Sequence, residues 1–318
     1  MRDLAIVIPA YKKTFLSKTL KSIAEQTCKN FTLYIGDDDS PYDLKKIVEQ
    51  YEGYIDIVYK KFEENIGSTD LVAQWERCIK MTKEPFIWLF SDDDIMESEC
   101  VEQYLSLPDE IRKSYVVHLD TKVLNSDTNL LTVSNSFPKI QNAKEYLDNK
   151  LSGRINYSVA VEFVFSRELY IECGGFVRYD LAWGSDFMTW LKFAENSKGI
   201  YSINRVGSYV IWRKSEENIT PDYSSQIIKR KMFAWVENAR DIKLYLIRNN
   251  YRPKFWYAKF VFGVMRRRVD NLSVSDMMHF TRMFIEEVGF PVESFLSFVY
   301  VATKRILYRI GVVTVKHN

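Results

Sequence analysis

Two hydrophobic runs near the start of the chain each empty into three consecutive aspartates, FTLYIGDDDS over 31–40 and FIWLFSDDDI over 86–95. Adjacent carboxylates repel one another by roughly 1 kcal/mol per close pair in water, and by several-fold more where the effective dielectric falls toward about 20. Such a run needs a cation, a set of hydrogen-bond donors or open solvent. The runs end two of four β-rich segments, LAIVI (4–8), FTLYI (31–35), IDIVY (55–59) and FIWLF (86–90). These alternate with helical patterns in FLSKTLKSIAEQT, LKKIVEQY and TDLVAQWERCIKM, the first placing Leu16, Leu20, Ile23 and Ala24 on one face. Strands and helices alternating at this spacing predict βαβ units and a mostly parallel sheet covered on both faces. In such sheets ligands bind beyond the carboxyl ends of the strands, where both aspartate runs sit. A lone aspartate there is equally a turn former or helix N-cap; two triads at one edge point to a ligand.

At 318 residues and 47% apolar content, the chain can bury one large domain plus an appendage. Cys28, Cys78, Cys100 and Cys173 show no C-x-x-C spacing, and the histidines are His118, His279 and His317. A disulfide scaffold and a Cys/His zinc site are thereby disfavoured, a reducing cytoplasm is expected, and oxygen-ligated metals stay open. MRDLAIVIPAYKK is too short an apolar run for a signal peptide, and no stretch approaches the roughly 18 apolar residues of a spanning helix. A soluble or peripheral protein is expected. There is no G-x-x-x-x-G-K-[ST] loop, no G-x-G-x-x-G after a strand and no G-x-S-x-G elbow, so carboxylate chemistry remains.

Beyond Tyr115 the pattern predicts short strands in VVHL and LLTVS, a helix in AKEYLDNKL, and a strand in YSVAVEFVF followed by a helix from Ser166. Gly174 and Gly175 close that helix, and Ser185 reads as the N-cap of another whose inner face carries Phe187, Leu191 and Ala194. Asp186 then lies in a first turn, where the helix dipole favours its ionised form. GIYSINRVGSYVIWRK reads as a hairpin, and long helical patterns follow over 224–249, 253–269, 273–288 and 291–310. Charge divides at the same place: 17 Lys and Arg stand against 7 Asp and Glu in residues 224–318, a balance of +10. The chain totals of 44 and 42 then leave 27 against 35, or −8, in residues 1–223. The expected organisation is an α/β catalytic domain over 1–223 and a basic helical appendage over 224–318. KFWYAKFVFGVMRRR (254–268) interleaves aromatics with cations, which suits an anionic membrane surface as well as an ordinary helical cap. No motif for nucleic acid accompanies the charge.

VIPAY (7–11), IGDDDS (35–40), ENIGS (64–68), LFSDDDIM (89–96), CGGF (173–176) and WGSDFMTWLKFA (183–194) follow one another in an order that resembles inverting family 2 glycosyltransferases, over about residues 1–213. The resemblance implies a GT-A fold, a Rossmann-like and mostly parallel α/β sheet flanked by helices. It implies transfer of a sugar from a nucleotide donor, a UDP-sugar, to a hydroxyl of a glycan or lipid-diphosphate-linked acceptor. It places Pro9, Ala10, Tyr11, Asp38, Asn65 and Asp92 against the nucleotide. Asp93 becomes the ligand of a Mn²⁺ or Mg²⁺ ion with Asp94 as support or second ligand, and Asp186 the general base. Asp39 stands where the family has glycine, and Ser91 where it often has aspartate. The chemistry is coherent: a hard cation on one or two carboxylates neutralises the charge growing on a departing diphosphate. By the same resemblance the basic tail fits a membrane-borne acceptor at the inner face of the cell membrane.

Three other readings use the same residues. A sugar-phosphate nucleotidylyltransferase would want a glycine-rich basic loop after the first strand, where AYKKTF offers two lysines and no glycine. A receiver-type signalling module would gather aspartates at strand ends but leave the Asp186 segment and the tail unused. A non-catalytic scaffold would bind membrane through the tail. Turnover of a nucleotide sugar separates all three from the leading reading.

Overall fold

β1 (Leu4–Ala10) is apolar on both faces, with Leu4 to Ile8 and Ala10 wholly buried, as expected for a strand inside a sheet covered on both sides. The structure, a computed structural model, describes residues 2–134, 136–155, 158–218, 224–253 and 272–289 and positions 256, 260, 296, 299 and 303. The remaining strands are β2 (Phe31–Asp37), β3 (Ile57–Lys61), β4 (Phe86–Leu89), β5 (Ile95–Met96), β6 (Val116–Leu119), β7 (Thr121–Asn125), β8 (Leu131–Val133), β9 (Ile140–Gln141), β10 (Phe163–Ser166), β11 (Ile200–Ile203) and β12 (Val210–Lys214). The large sheet runs β3-β2-β1-β4-β10-β6-β11-β9 and a smaller one β5-β12-β7-β8. β3, β2, β1 and β4 are mutually parallel, β10 is antiparallel to both neighbours, and β11 is parallel to β6. The expected α/β sheet of GT-A type is therefore present, with antiparallel pairs on one side.

The parallel register decides where the site lies. Ala10 pairs with Asp37, Asp37 with Lys61, and Val7 with Leu89, so the chain leaves β1, β2 and β4 at one edge. Helices α1 (Leu16–Ala24), α2 (Leu44–Val48) and α3 (Leu71–Ile79) connect these strands. α1 buries Leu16, Leu20 and Ile23, and α3 is capped by Asp70, whose carboxylate accepts from the Ala73 N–H at 2.8 Å. α4 (Cys100–Leu105) and α5 (Asp109–Ser114) follow, then α6 (Ala143–Leu151) with a reciprocal Asn142–Glu145 capping box. Ser166 caps α7 (Arg167–Glu172), which ends at Gly174 and Gly175 with φ of 69° and 82°, the left-handed geometry of a helix stop.

α8 (Ser185–Glu195) buries Phe187, Met188, Trp190, Leu191, Phe193 and Ala194, and Trp190 stacks on Phe163 of β10 at 4.5 Å. Ser185 is the first helical residue rather than the cap; Gly184 precedes it at φ 83°. The expected hairpin at 199–214 does not form. β11 joins β6 in the large sheet and β12 joins β7 in the small one, because each finds a parallel partner already inside the core.

The chain divides into two units, Met1–Arg178 with Ser185–Ser215, and Tyr179–Gly184 with Glu216–Asn318. In the second, α9 (Ser225–Arg248) buries Ile228, Met232, Ala239 and Ile242, and α10 (Val274–Val288) starts at a Ser273–Asp276 capping box. Arg230 grips Asp180 with two hydrogen bonds of 2.8 and 2.6 Å, and the Tyr179 hydroxyl donates to Asp241. The helical patterns at 253–269 and 291–310, with Arg266, Arg267 and Arg268, lie outside the described residues apart from single positions. Among the described residues no helix is long and apolar enough to cross a membrane.

Candidate active site

The two aspartate runs lie at the β1–β2–β4 edge, and both bond to the segment that leaves β1. Asp92 Oδ2 accepts from the backbone N–H groups of Tyr11 and Lys12 at 2.8 and 2.7 Å, which bends the chain leaving β1 toward the end of β4. Asp38 N–H reaches back to Ala10 O at 2.9 Å, and Ser40 Oγ donates to Tyr11 O at 2.7 Å. Pro9 and Ala10 sit beside Gly36 and Asp37, and the Tyr11 ring stands 41% exposed at the rim.

Within the first run the three carboxylates have different surroundings. Asp37 is buried and clamps the turn, accepting from the Ser40 N–H at 2.7 Å and from the Tyr59 hydroxyl. Asp38, 4% exposed, accepts from the N–H groups of Ile66 and Gly67 at 3.0 and 2.9 Å and from the Arg77 guanidinium. Burial pushes the Asp38 carboxyl above its ordinary range against those donors. Asn65 orders the same loop, its Oδ1 accepting from the Ser68 N–H at 2.9 Å. Gly67 is required by closeness: a Cβ there would meet Asp38 Oδ2 at 2.4 Å. Asp39 is left-handed, with φ 52°, a conformation that Asp tolerates better than most side chains. Asp38→Ala should lower the unfolding free energy by about 2–3 kcal/mol, since it removes Arg77's carboxylate partner and strands two N–H groups. Urea denaturation checks this, and a loss under about 0.5 kcal/mol would mean that the loop is held by something else.

The second run is almost enclosed, with Asp92, Asp93 and Asp94 4%, 5% and 2% exposed. Lys12 Nζ contacts Asp93 Oδ2 and lies 3.6 Å from Asp92 Oδ1. Asp94 Oδ1 accepts from the Arg213 N–H at 2.7 Å, while Arg213 Nε donates to Asp93 O at 2.8 Å. Burial, and then the neighbouring Asp93 charge, push Asp94 up to about 8. Burial likewise pushes Asp92 up to about 6, opposed by Lys12 and by the two N–H groups it accepts. The Ser91 hydroxyl lies 2.7 Å from both Asp93 Oδ1 and Asp94 Oδ2. It has one proton, so it donates to one of the two carboxylates at a time.

This donor set fits a hard divalent cation. The donors are oxygens only, three buried carboxylates face fewer cations, and the surplus is visible in the raised Asp94. Among the described residues no three His, Cys, Asp or Glu side chains form a ready cage.

Asp186 makes no hydrogen bond to either run. It sits in the first turn of α8, its Oδ1 accepting from the Phe187 N–H at 2.8 Å. Burial pushes it up to about 6 against that donor and the Lys150 charge, and Glu162 adds to the rise. Glu162 is buried in the 160–162 turn, which packs against β4 and β12, the strands that frame the second run. The sequence reading missed Lys12, Arg77, Tyr59 and Arg213 as partners of the aspartates. Only Lys12 carried a local signal, a basic pair directly after a strand.

Parallel strands feed carboxylates to one sheet edge, and the chain belongs to glycosyl transferase family 2, whose family model matches residues 5–174. Among curated proteins no sequence matches it significantly. Solved structures share the fold. One is residues 1–349 of S. aureus TarS in complex with UDP-GlcNAc, with TM-score 0.60 and 13% identity over 98% of this chain and 92% of that one. A longer S. aureus TarS structure gives TM-score 0.58 and 14% identity, covering 96% of this chain and 55% of that one. The mannosyltransferase PcManGT from Pyrobaculum calidifontis, in complex with GDP-Man and Mn²⁺, gives TM-score 0.53 and 11% identity over 96% and 88%.

Proposed function

We propose that the protein is a metal-dependent inverting glycosyltransferase that moves a sugar from a UDP-sugar to a hydroxyl of a glycan or lipid-diphosphate-linked acceptor in surface polysaccharide assembly. The observation that carries this reading is the junction at the β1–β2–β4 edge, where Asp92 draws β1 toward an enclosed, charge-surplus run of carboxylates. Family membership supports it, as do nucleotide-sugar complexes of two proteins with the same fold, one containing Mn²⁺.

Asp93 and Asp94 would hold a Mn²⁺ or Mg²⁺ ion, which supplies positive charge to the departing diphosphate. Pro9, Ala10 and Tyr11 line the nucleoside side of the edge. Asp38 fixes the 65–68 loop, and with it Asn65, against that side, and Asp92 sets the Tyr11–Lys12 backbone. Asp186 takes the acceptor proton as the oxygen attacks the anomeric carbon opposite the leaving group. Release of UDP from a panel of UDP-sugars, with and without Mn²⁺, tests the reaction class; release of pyrophosphate from sugar phosphate and UTP would instead support the nucleotidylyltransferase reading.

The 224–318 region is proposed to rest on an anionic membrane surface that carries the acceptor. Supporting this are its balance of +10 and exposed Phe233, Leu244 and Ile247 on α9. Arg266, Arg267 and Arg268 changed together to Glu should weaken binding to phosphatidylserine vesicles at low salt by about 1 kcal/mol per charge, with donor hydrolysis unchanged. Equal vesicle binding would reduce the basic region to a solvated surface.

A further inference from the structure

Lys12 has a place that neither the reaction nor the fold requires of a lysine. Its backbone N–H and that of Tyr11 are pinned by Asp92, which fixes where the side chain leaves the chain and carries it across the second acidic run. The ammonium touches Asp93 Oδ2 and lies 3.6 Å from Asp92 Oδ1. The two carboxylates are 6% and 7% exposed as side chains and Lys12 is 28% exposed, so Lys12 is the most open of the three side chains. Lys13, the next residue, points elsewhere, its Nζ 4.3 Å from the centre of the Tyr42 ring.

A divalent ion on Asp93 would be repelled by the ammonium at Asp93 Oδ2, so the two compete for that carboxylate. An ammonium displaced in that competition stays tethered at the edge of the site, near whatever anion completes the ion's coordination. We infer that Lys12 is a donor-binding residue built into the cation site: it neutralises Asp93 while no donor is present, and turns to the donor's diphosphate when a divalent cation takes Asp93. The inference rests on the proposed function above. It makes cation and nucleotide binding synergistic by a stated route, since each ligand removes the competitor or partner that the other leaves behind, and such coupling is reciprocal.

The test uses the full chain, Mn²⁺ alone followed by electron paramagnetic resonance, and UDP by calorimetry at saturating Mn²⁺. Lys12→Met keeps the length of the stem and removes the charge. It should bind Mn²⁺ alone about tenfold more tightly than the wild type and UDP about tenfold more weakly, so the synergy between them shrinks. The rise in melting temperature on adding Mn²⁺ should be larger in Lys12→Met, because its Asp93 has no cation of its own. Lys12→Arg keeps a charge and should retain weak binding of Mn²⁺ alone, and Lys13→Met should leave both affinities within about twofold of the wild type. If Lys12→Met binds Mn²⁺ alone as the wild type does, or more weakly, Lys12 is a structural pin and the inference is wrong. If the wild type binds no UDP at any Mn²⁺ concentration, the glycosyltransferase reading fails first and takes the inference with it.

Discussion

Asp186→Asn should transfer sugar about 10²- to 10⁴-fold more slowly than the wild type, a barrier rise of about 3–5 kcal/mol, while binding the donor equally well. The amide keeps the shape of the carboxylate but cannot take a proton. Asp186 stands apart from the aspartates of the sheet edge, with Lys150 and Glu162 as its electrostatic neighbours, so the nucleotide should not register the change. The pH dependence gives an independent reading. Burial holds the Asp186 carboxyl at about 6, so wild-type kcat/KM should rise through pH 6 as the base ionises, and the Asn variant should lack that limb. The folded-state pKa lies above the unfolded value of about 3.9, so the group favours folding below that value and the benefit is lost as pH rises toward 6. Asp186→Asn should therefore match the wild type in stability near pH 4 and exceed it at pH 8 by on the order of 1–3 kcal/mol. Near wild-type transfer by the variant would move the base elsewhere; loss of nucleotide binding would assign Asp186 to the donor side.

Asp93→Ala should abolish transfer and remove the Mn²⁺-dependent part of UDP binding. A metal ion at a departing diphosphate contributes several kcal/mol, so a loss of roughly 10³-fold or more is expected. The fold should survive, because deletion relieves repulsion from Asp92 and Asp94 even as it strips Lys12 of its nearest partner. Circular dichroism and the urea midpoint check the fold, and calorimetry with Mn²⁺ or EDTA checks binding. Full activity of the variant in EDTA would remove the metal from the account.

Much of this fold was legible because the signal was local. The four parallel strands and α1 to α3 follow from apolar runs and 3.6-residue periodicity, and the helix start at Ser166 follows from a side chain that bonds three residues ahead. β5 and β9 are two residues long and β7, TKVLN, alternates too weakly to read, so all three escaped. The false hairpin at 199–214 has the same origin: local sequence proposes a turn, but pairing is decided by partners such as β6 and β7, eighty to ninety residues away. The site divides along the same line. That aspartates after parallel strands gather at one edge is a consequence of topology, and it was readable. That Arg213 would hold Asp94 across 119 residues, or Arg77 hold Asp38 across 39, was not.

The reaction is tested most directly by the anomeric configuration of the product formed from a UDP-sugar, followed by proton NMR from the first turnovers with Mn²⁺ and an acceptor hydroxyl present. A single displacement with Asp186 as base predicts a β-linked product from an α-linked donor, formed only while the divalent ion is available. An α-linked product, or the same product at the same rate in EDTA, would contradict it.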